Sequence, residues 1–428
     1  MAVNTDRSLR KQVMYSVYVR NYSKEGTFAK VQEDLPRIKA LGADIIWLMP
    51  IHPVGVKNRK GDLGSPYAIR DYRAVNPEFG TLEDFKALVN AIHAQGMKCI
   101  IDVVYNHTSP DSWLVEHHPE WFYHKPDGSF GNRVGEWWDV IDLDYDQRGL
   151  WDYQIETLRM WAEIVDGFRC DVAPLVPLAF WLEARAKVAE VNPDCLWLSE
   201  SVEPEFIRFL RAQGMTASSD GEIYQAFDLA YDYDIHGDFI RVLTGEGTLA
   251  AYLDKVNAQE CTYPANYVKL RHLENHDRPR AASVIPDEGA LRSWTAFQYF
   301  QKGMPLIYNG QECCNTVRPS LFDKDDVDWQ TGRDLSPLMR RLYDIRQDDI
   351  FTDSAYSVQA LGHDDVIFAQ HKHGEARLVG LFPIKGQPCV VHADVPDGRH
   401  MNLIDGSIVV AEQGLVSLTG APVIIDLR

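Results

Sequence analysis

The sequence predicts an α/β fold: a (β/α)8 TIM barrel with a short subdomain inserted after strand 3 and an antiparallel β domain at the C-terminal end. Three observations predict it. Up to about residue 345, short apolar runs ending in polar residues alternate with segments of helical period, the pattern of repeated βα units on a parallel sheet. The alternation lapses once, over residues 107–145, in a stretch rich in Trp, His, Pro and Gly. So long an irregular connection inside a compact domain usually carries function. From about residue 346 the texture changes to short runs punctuated by Gly, Pro and Asp, the mark of a small antiparallel β domain. The expected division is therefore a barrel over 1–106 and 146–345, an inserted subdomain over 107–145, and a sandwich-like β domain over 346–428.

Taken in order, the barrel strands are expected in QVMYSVYV, ADIIWLMP, KCIIDVVYNH, DGFRCDV, CLWLSES, YQAFDLA, YVKLRHLEN and MPLIYNG. The helix before the third is the best specified. Thr81 with Asp84 makes a capping box, Phe85, Leu88, Val89 and Ile92 share one face, and Gly96 follows as a stop. Amphipathic segments such as EPEFIRFLRAQG separate several of the other strands. In the last domain the strand runs are VIFAQH, ARLVGLFPI, PCVVHAD, LVSLTG and PVIIDL.

Composition narrows the function. Of the 428 residues 45% are hydrophobic and 25% charged, the balance of a globular protein with a sizeable core. The net charge of −19 repels phosphate backbones and anionic lipid, so neither nucleic acid nor membrane is an expected partner. No apolar run approaches a signal-peptide core or a membrane span, and a cytoplasmic location is expected. Of the seven cysteines, Cys99, Cys170 and Cys195 lie in or beside apolar strands and read as small buried hydrophobes. The vicinal Cys313 and Cys314 have no second cysteine motif or His cluster to support a metal or redox role.

In a barrel of this kind the polar residues closing the strands share one pocket. Here they are Asp102, Asn106 and His107 after strand three, Arg169 and Asp171 on strand four, Glu200 after strand five, and Asn275, His276 and Asp277 after strand seven. Glycoside hydrolysis requires this inventory: a carboxylate nucleophile, a carboxylic acid for the leaving oxygen, and further hydrogen bonds to an oxocarbenium-like transition state. Arg169, two residues before Asp171 on one strand, points to the same side and can keep that carboxylate ionised. The plain alternative, a buried structural ion pair, fits the strand alone but not the company of the other strand ends.

The motifs DVVYNH (102–107), GFRCD (167–171), LSES (198–201) and ENHD (274–277) occur in the order of the α-amylase family of glycoside hydrolases, which the chain resembles across residues 13–345. SPYAIRDYRAVNPEFGT (65–81) and GMPLIYNGQE (303–312) support the resemblance. It implies a retaining enzyme cleaving α-1,4-glucosidic bonds in starch-like glucans or maltooligosaccharides by double displacement. Asp171 is then the nucleophile, Glu200 the general acid/base and Asp277 the third carboxylate. Tyr67, His107, Arg169 and His276 are implied as substrate-binding residues. Glu203, three residues after Glu200, competes for the acid's role, and the family's placement of its acid directly after the strand favours Glu200.

Trp113, Trp121, Trp137 and Trp138 in the insertion are candidate sugar platforms, since aromatic faces suit the apolar side of a pyranose, and Trp138 is taken into the site. Pro174 and Leu175 stand where the family commonly carries a Lys-His pair that contacts the leaving-side sugar and lends a carbonyl to calcium. No cofactor is therefore required, and calcium is not expected although Asn106 retains the family's calcium-site asparagine. The partner is an α-glucan or maltooligosaccharide. Cyclomaltodextrinase, α-1,6-acting hydrolase and glucanotransferase keep the same site and stay open, whereas the intact trio Asp171, Glu200 and Asp277 argues against a non-catalytic glucan-binding protein.

Overall fold

The structure is a computed structural model, and it describes residues 4–135 and 137–428. Eight parallel strands close into a barrel: β1 (Met14–Val17), β2 (Ile45–Leu48), β3 (Lys98–Val103), β4 (Gly167–Cys170), β5 (Leu196–Ser199), β6 (Leu229–Tyr231), β7 (Val268–Arg271) and β8 (Met304–Tyr308). Each pairs with its chain neighbour, and β8 returns to β1 through Met14↔Leu306 and Ser16↔Tyr308. Seven lie within the apolar runs expected from sequence, and β6 overlaps YQAFDLA but ends one residue past it.

Period-two alternation sorts the side chains into two layers. Met14, Ile45, Trp47, Ile100, Leu198, Leu229, Tyr231, Val268, Leu270 and Leu306 fill the barrel interior as one buried cluster. Their strand neighbours, among them Ile46, Ile101, Phe168, Trp197 and Ala230, face outward against helices such as Phe28–Ala40, Leu82–Ala94 and Arg148–Ala162. The Leu82–Ala94 helix carries the expected capping box, with Thr81 and Asp84 each bonding the other's backbone.

Between β3 and β4 the chain makes a two-stranded ribbon in which His107 faces Asp142 and Thr108 faces Ile141, with the short helix Trp113–His117 between them. Beyond the Ser336–Arg346 helix come two four-stranded antiparallel sheets. The first is β9 (Ala355–Leu361), β10 (Val366–His373), β11 (Ala376–Pro383) and β16 (Val423–Asp426); the second is β12 (Cys389–His392), β13 (Gly398–Met401), β14 (Ile408–Glu412) and β15 (Leu415–Leu418). Val366, Phe368, Val379 and Leu381 of the first sheet share a core with Val391, Val409, Val416 and Leu418 of the second. The first sheet also packs on the barrel, where buried His371 bonds Ser354 Oγ at 2.7 Å and Phe300 O at 2.8 Å.

Candidate active site

Strand β4 aims Arg169 into the barrel and ends at Asp171, and both are buried. The guanidinium is the hub of the site. Its Nη1 donates to Asp102 Oδ1 at 2.9 Å and to Asp171 Oδ1 at 2.8 Å, and its Nη2 lies 2.8 Å from Glu200 Oε1. Its Nε donates to the Tyr231 hydroxyl at 3.2 Å, and its carbon lies 5.1 Å from the Trp47 ring centre and 5.5 Å from that of Tyr67. One cation thus gathers three carboxylates from β3, β4 and the end of β5.

That imbalance sets the proton affinities. Burial and the facing Asp171 and Asp277 carboxylates push Glu200 up to about 8, although Arg169 opposes them. Burial also pushes Asp171 up to about 6, with Arg169 pulling down and Asp102 pushing up. The two groups therefore straddle neutrality, one ionised and one protonated, as nucleophile and acid must be. Burial raises Asp102 to about 6 as well, opposed by Arg169. Burial raises Asp277, but His276, Arg169 and Arg278 outweigh it and hold that carboxyl well below the usual range.

Backbone geometry couples Asp171 and Glu200 directly. Val172, next after Asp171, is left-handed (φ 35°, ψ 42°), and its N–H donates to Glu200 Oε2 at 2.7 Å. A β-branched residue in that region costs on the order of 1–3 kcal/mol and persists only where its surroundings enforce it. The enforced N–H is what reaches Glu200.

The other expected residues fall around this hub. Tyr67, half-buried on the loop after β2, donates its hydroxyl to Asp102 Oδ2 at 3.1 Å, and the same oxygen lies 2.7 Å from His276 Nε2. His276 Nε2 is 3.0 Å from Asp277 Oδ2, and Asp277 itself has a side chain 44% exposed to the groove. His107 Nε2 stands 4.0 Å from Asp171 Oδ2, and burial lowers its proton affinity, leaving a neutral ring. Asp171, Glu200, Asp277, Tyr67, His107, Arg169 and His276 are thus brought together. Asp102 lies behind Asp171 as its competitor for Arg169.

Trp138 lies at the surface of the insertion. It is 58% exposed, with Lys60 Nζ 5.4 Å from its ring centre. Its neighbour Trp137 is the indole that approaches the site, 5.6 Å from the His107 ring. Trp113 stacks on His117 and Tyr153, and Trp121 on His118, so both serve packing of the insertion. Glu203, the competing acid, is ion-paired to Arg278 rather than to Arg169.

Sequence reading missed Trp47, Tyr231 and Val172. Tyr231 obeys the strand-end rule, but the run YQAFDLA stops one residue short of it; Trp47 sat unmarked inside ADIIWLMP. The left-handed Val172 has no sequence signal.

Around Asn106 the donor set does not fit the calcium of related barrels. The Arg133 backbone N–H donates to Asp142 Oδ2 at 2.7 Å, and its guanidinium donates to Leu143 O at 3.2 Å and lies 3.6 Å from Asp144 Oδ1. Asn106 turns its amide to His107 Nδ1 at 3.2 Å. Arg133, through its backbone N–H and its guanidinium, already engages oxygens that a hard metal would need.

A closed parallel barrel with strand-end carboxylates of divergent proton affinity around one arginine defines a class of enzyme acting on glycosidic bonds. The "Alpha amylase, catalytic domain" family matches residues 12–350, and the "Bacterial Alpha amylase C-terminal domain" family matches residues 357–425. The chain belongs to the α-amylase family. An α-amylase from Lactobacillus plantarum is 47% identical with a TM-score of 0.96, covering 99% of this chain and 100% of that one. A maltogenic α-amylase, AmyB, from Thermotoga neapolitana is 33% identical with a TM-score of 0.87, over 98% and 99% of the two chains. Among curated relatives, an α-1,4-glucan:maltose-1-phosphate maltosyltransferase from Salinibacter ruber is 34% identical over 84% of this chain and 57% of its own. The chain spans between 34% and 60% of the length of the curated maltosyltransferases it matches. No helix among the described residues is long and apolar enough to cross a membrane.

Proposed function

We propose that the protein is a retaining glycoside hydrolase acting on α-1,4-linked glucose polymers or maltooligosaccharides. The observation that carries this reading is the single guanidinium shared by Asp171 and Glu200, whose proton affinities lie on opposite sides of neutrality.

In the first step an Asp171 oxygen attacks the anomeric carbon while Glu200 gives its proton to the glycosidic oxygen, so the leaving chain departs as an alcohol. In the second step Glu200, now a carboxylate, takes a proton from water; the water oxygen replaces Asp171 on the same face from which the chain left. Asp277 grips the sugar's hydroxyls, and His276 and the neutral His107 bond the ring in the cleavage subsite. Tyr67 supports the sugar from the loop after β2. The described cysteines are all unpaired, which supports a reducing, cytoplasmic setting.

The test is the configuration of the fresh product, read by NMR during hydrolysis of maltooligosaccharides, with a mechanism-based fluorosugar to trap the intermediate. The expected results are a product born in the α configuration and label on Asp171. A β product, or label on another residue, overturns the reading.

A second reading, transfer to a sugar hydroxyl instead of water, is favoured by the maltosyltransferases that match most of this chain. Both readings use the same intermediate. Incubation with maltose 1-phosphate and a glucan acceptor separates them, since chain elongation with phosphate release supports transfer and free maltose supports hydrolysis.

A further inference from the structure

The rim of the barrel has two unlike sides. Glu200 must face the leaving oxygen, so the loops after β4 and β5 flank the leaving-side sugars. In the closed ring β8, β1 and β2 lie across from those strands, and their loops flank the retained sugar and whatever extends it toward the non-reducing end.

On that far side three loops are knitted into one wall. Lys60, after β2, pairs with Asp139 of the insertion at 2.8 Å, and the Asp139 carboxylate is almost wholly buried. The Lys60 ammonium also lies 5.4 Å from the Trp138 ring centre and 5.9 Å from that of Phe322, on the loop after β8. The Leu63 N–H donates to Phe322 O at 2.9 Å, and the Asp62 N–H to Asp323 Oδ1 at 2.8 Å. Gly61 (φ +63°) lies where a Cβ would come within 2.6 Å of Asp323 Oδ1 and 2.7 Å of Phe322 Cβ, so only glycine permits the approach. The same loop carries Tyr67, bonded to His276 and Asp102 beneath the reaction centre. The wall is therefore built on the same loop that reaches the reaction centre through Tyr67.

We propose that the Lys60 clasp closes the groove on the retained-sugar side, so that the enzyme acts from the non-reducing chain end and releases short products of one dominant length. An enzyme that cuts within chains needs both sides open; here the β2 loop, the insertion and the β8 loop meet across one side. This rests on the hydrolytic reading above.

The experiment compares para-nitrophenyl maltoheptaoside with the same compound carrying a benzylidene block at its non-reducing end. The wild type is expected to cleave the free substrate and to cleave the blocked one at least about a hundredfold more slowly. Lys60→Ala, and separately Asp139→Asn should the first variant fold poorly, is expected to raise the blocked-to-free rate ratio at least tenfold. Equal wild-type rates, or a ratio left unchanged in a folded variant, overturn the clasp. Cleavage of neither substrate, with starch also untouched, defeats the hydrolytic reading itself.

Discussion

Two strands of one barrel each place a buried cation among carboxylates, and they do so on opposite faces of the wall. Arg169 on β4 points inward and meets Asp102, Asp171 and Glu200 at the strand ends. Lys269 on β7 points outward into the helix layer, where its ammonium pairs with Asp220 and lies 3.0 Å from Asp234 Oδ1. Tyr231 touches both, its hydroxyl accepting from Arg169 and its carbonyl from Lys269. The difference is charge balance and access. Lys269 serves two acids, and Asp234 also accepts from Gln259 Nε2 and the Tyr263 hydroxyl, each at 2.8 Å. Although burial raises Asp234, Lys269 and these donors leave it below its ordinary range, while burial keeps Asp220 above its own despite Lys269. Arg169 serves three acids with fewer donors, so a proton stays on one of them. A buried cation with carboxylates is thus not by itself a site; an unbalanced one facing a groove is.

The largest expected effect breaks the inner cluster. Asp171→Asn should lower kcat by at least about a thousandfold, because the covalent step loses its nucleophile, while the melting temperature changes little. Activity near wild type would move the nucleophile elsewhere. The matching change outside, Lys269→Met, removes the cation from two buried carboxylates and should cost about 3–5 kcal/mol in urea unfolding. Per folded molecule its kcat should stay within about twofold. A large loss of kcat without loss of stability would make the outer cluster part of the site and end the distinction.

A smaller effect sharpens the comparison. Asp171 must be ionised and Glu200 protonated, so kcat/KM should fall below an apparent pKa of about 6 and above one of about 8. The two limbs belong to the coupled pair. Glu200→Gln should abolish the alkaline limb of whatever activity remains. An alkaline limb that survives in that variant would assign it to another group.

The inner face was legible in sequence because strand ends are marked twice, by an apolar run and by the polar residue that closes it. Asp102, Arg169, Asp171 and Glu200 follow from that rule, and the structure places them on one guanidinium. The outer cluster was not marked, since YVKLRHLEN shows Lys269 and Arg271 alternating with apolar residues without showing which face is buried under helices. In the insertion no period says which of two adjacent indoles faces the site, and Trp137, not Trp138, approaches His107. The wall of loops depends on backbone contacts such as Leu63 to Phe322, far apart in the chain and without a pattern in either segment. In the last domain five runs were readable. β9, β13 and β14 were not: β9 (AYSVQAL) alternates polar with apolar residues, β13 (GRHM) has no apolar run, and the short IVVA run of β14 was passed over.

The smallest effect concerns stability and follows from the same imbalance. Holding Glu200 at about 8 in the folded protein, from an ordinary value of 4.5, means that folding favours its protonated form. That contribution is fully present below about pH 4.5 and is lost as pH rises through about 8, where the acid must ionise among its neighbours. In Glu200→Gln the side chain stays neutral at every pH. The variant's amide beside Arg169 adds an offset of its own, but that offset does not change with pH. The informative quantity is therefore the difference in Tm between Glu200→Gln and wild type, followed from pH 5 to pH 9. It should rise by about 2 °C or more across that range, whatever its starting sign. A flat difference would mean that the three carboxylates on Arg169 do not strain one another. The contrast with the two-acid Lys269 cluster would then lose its electrostatic basis.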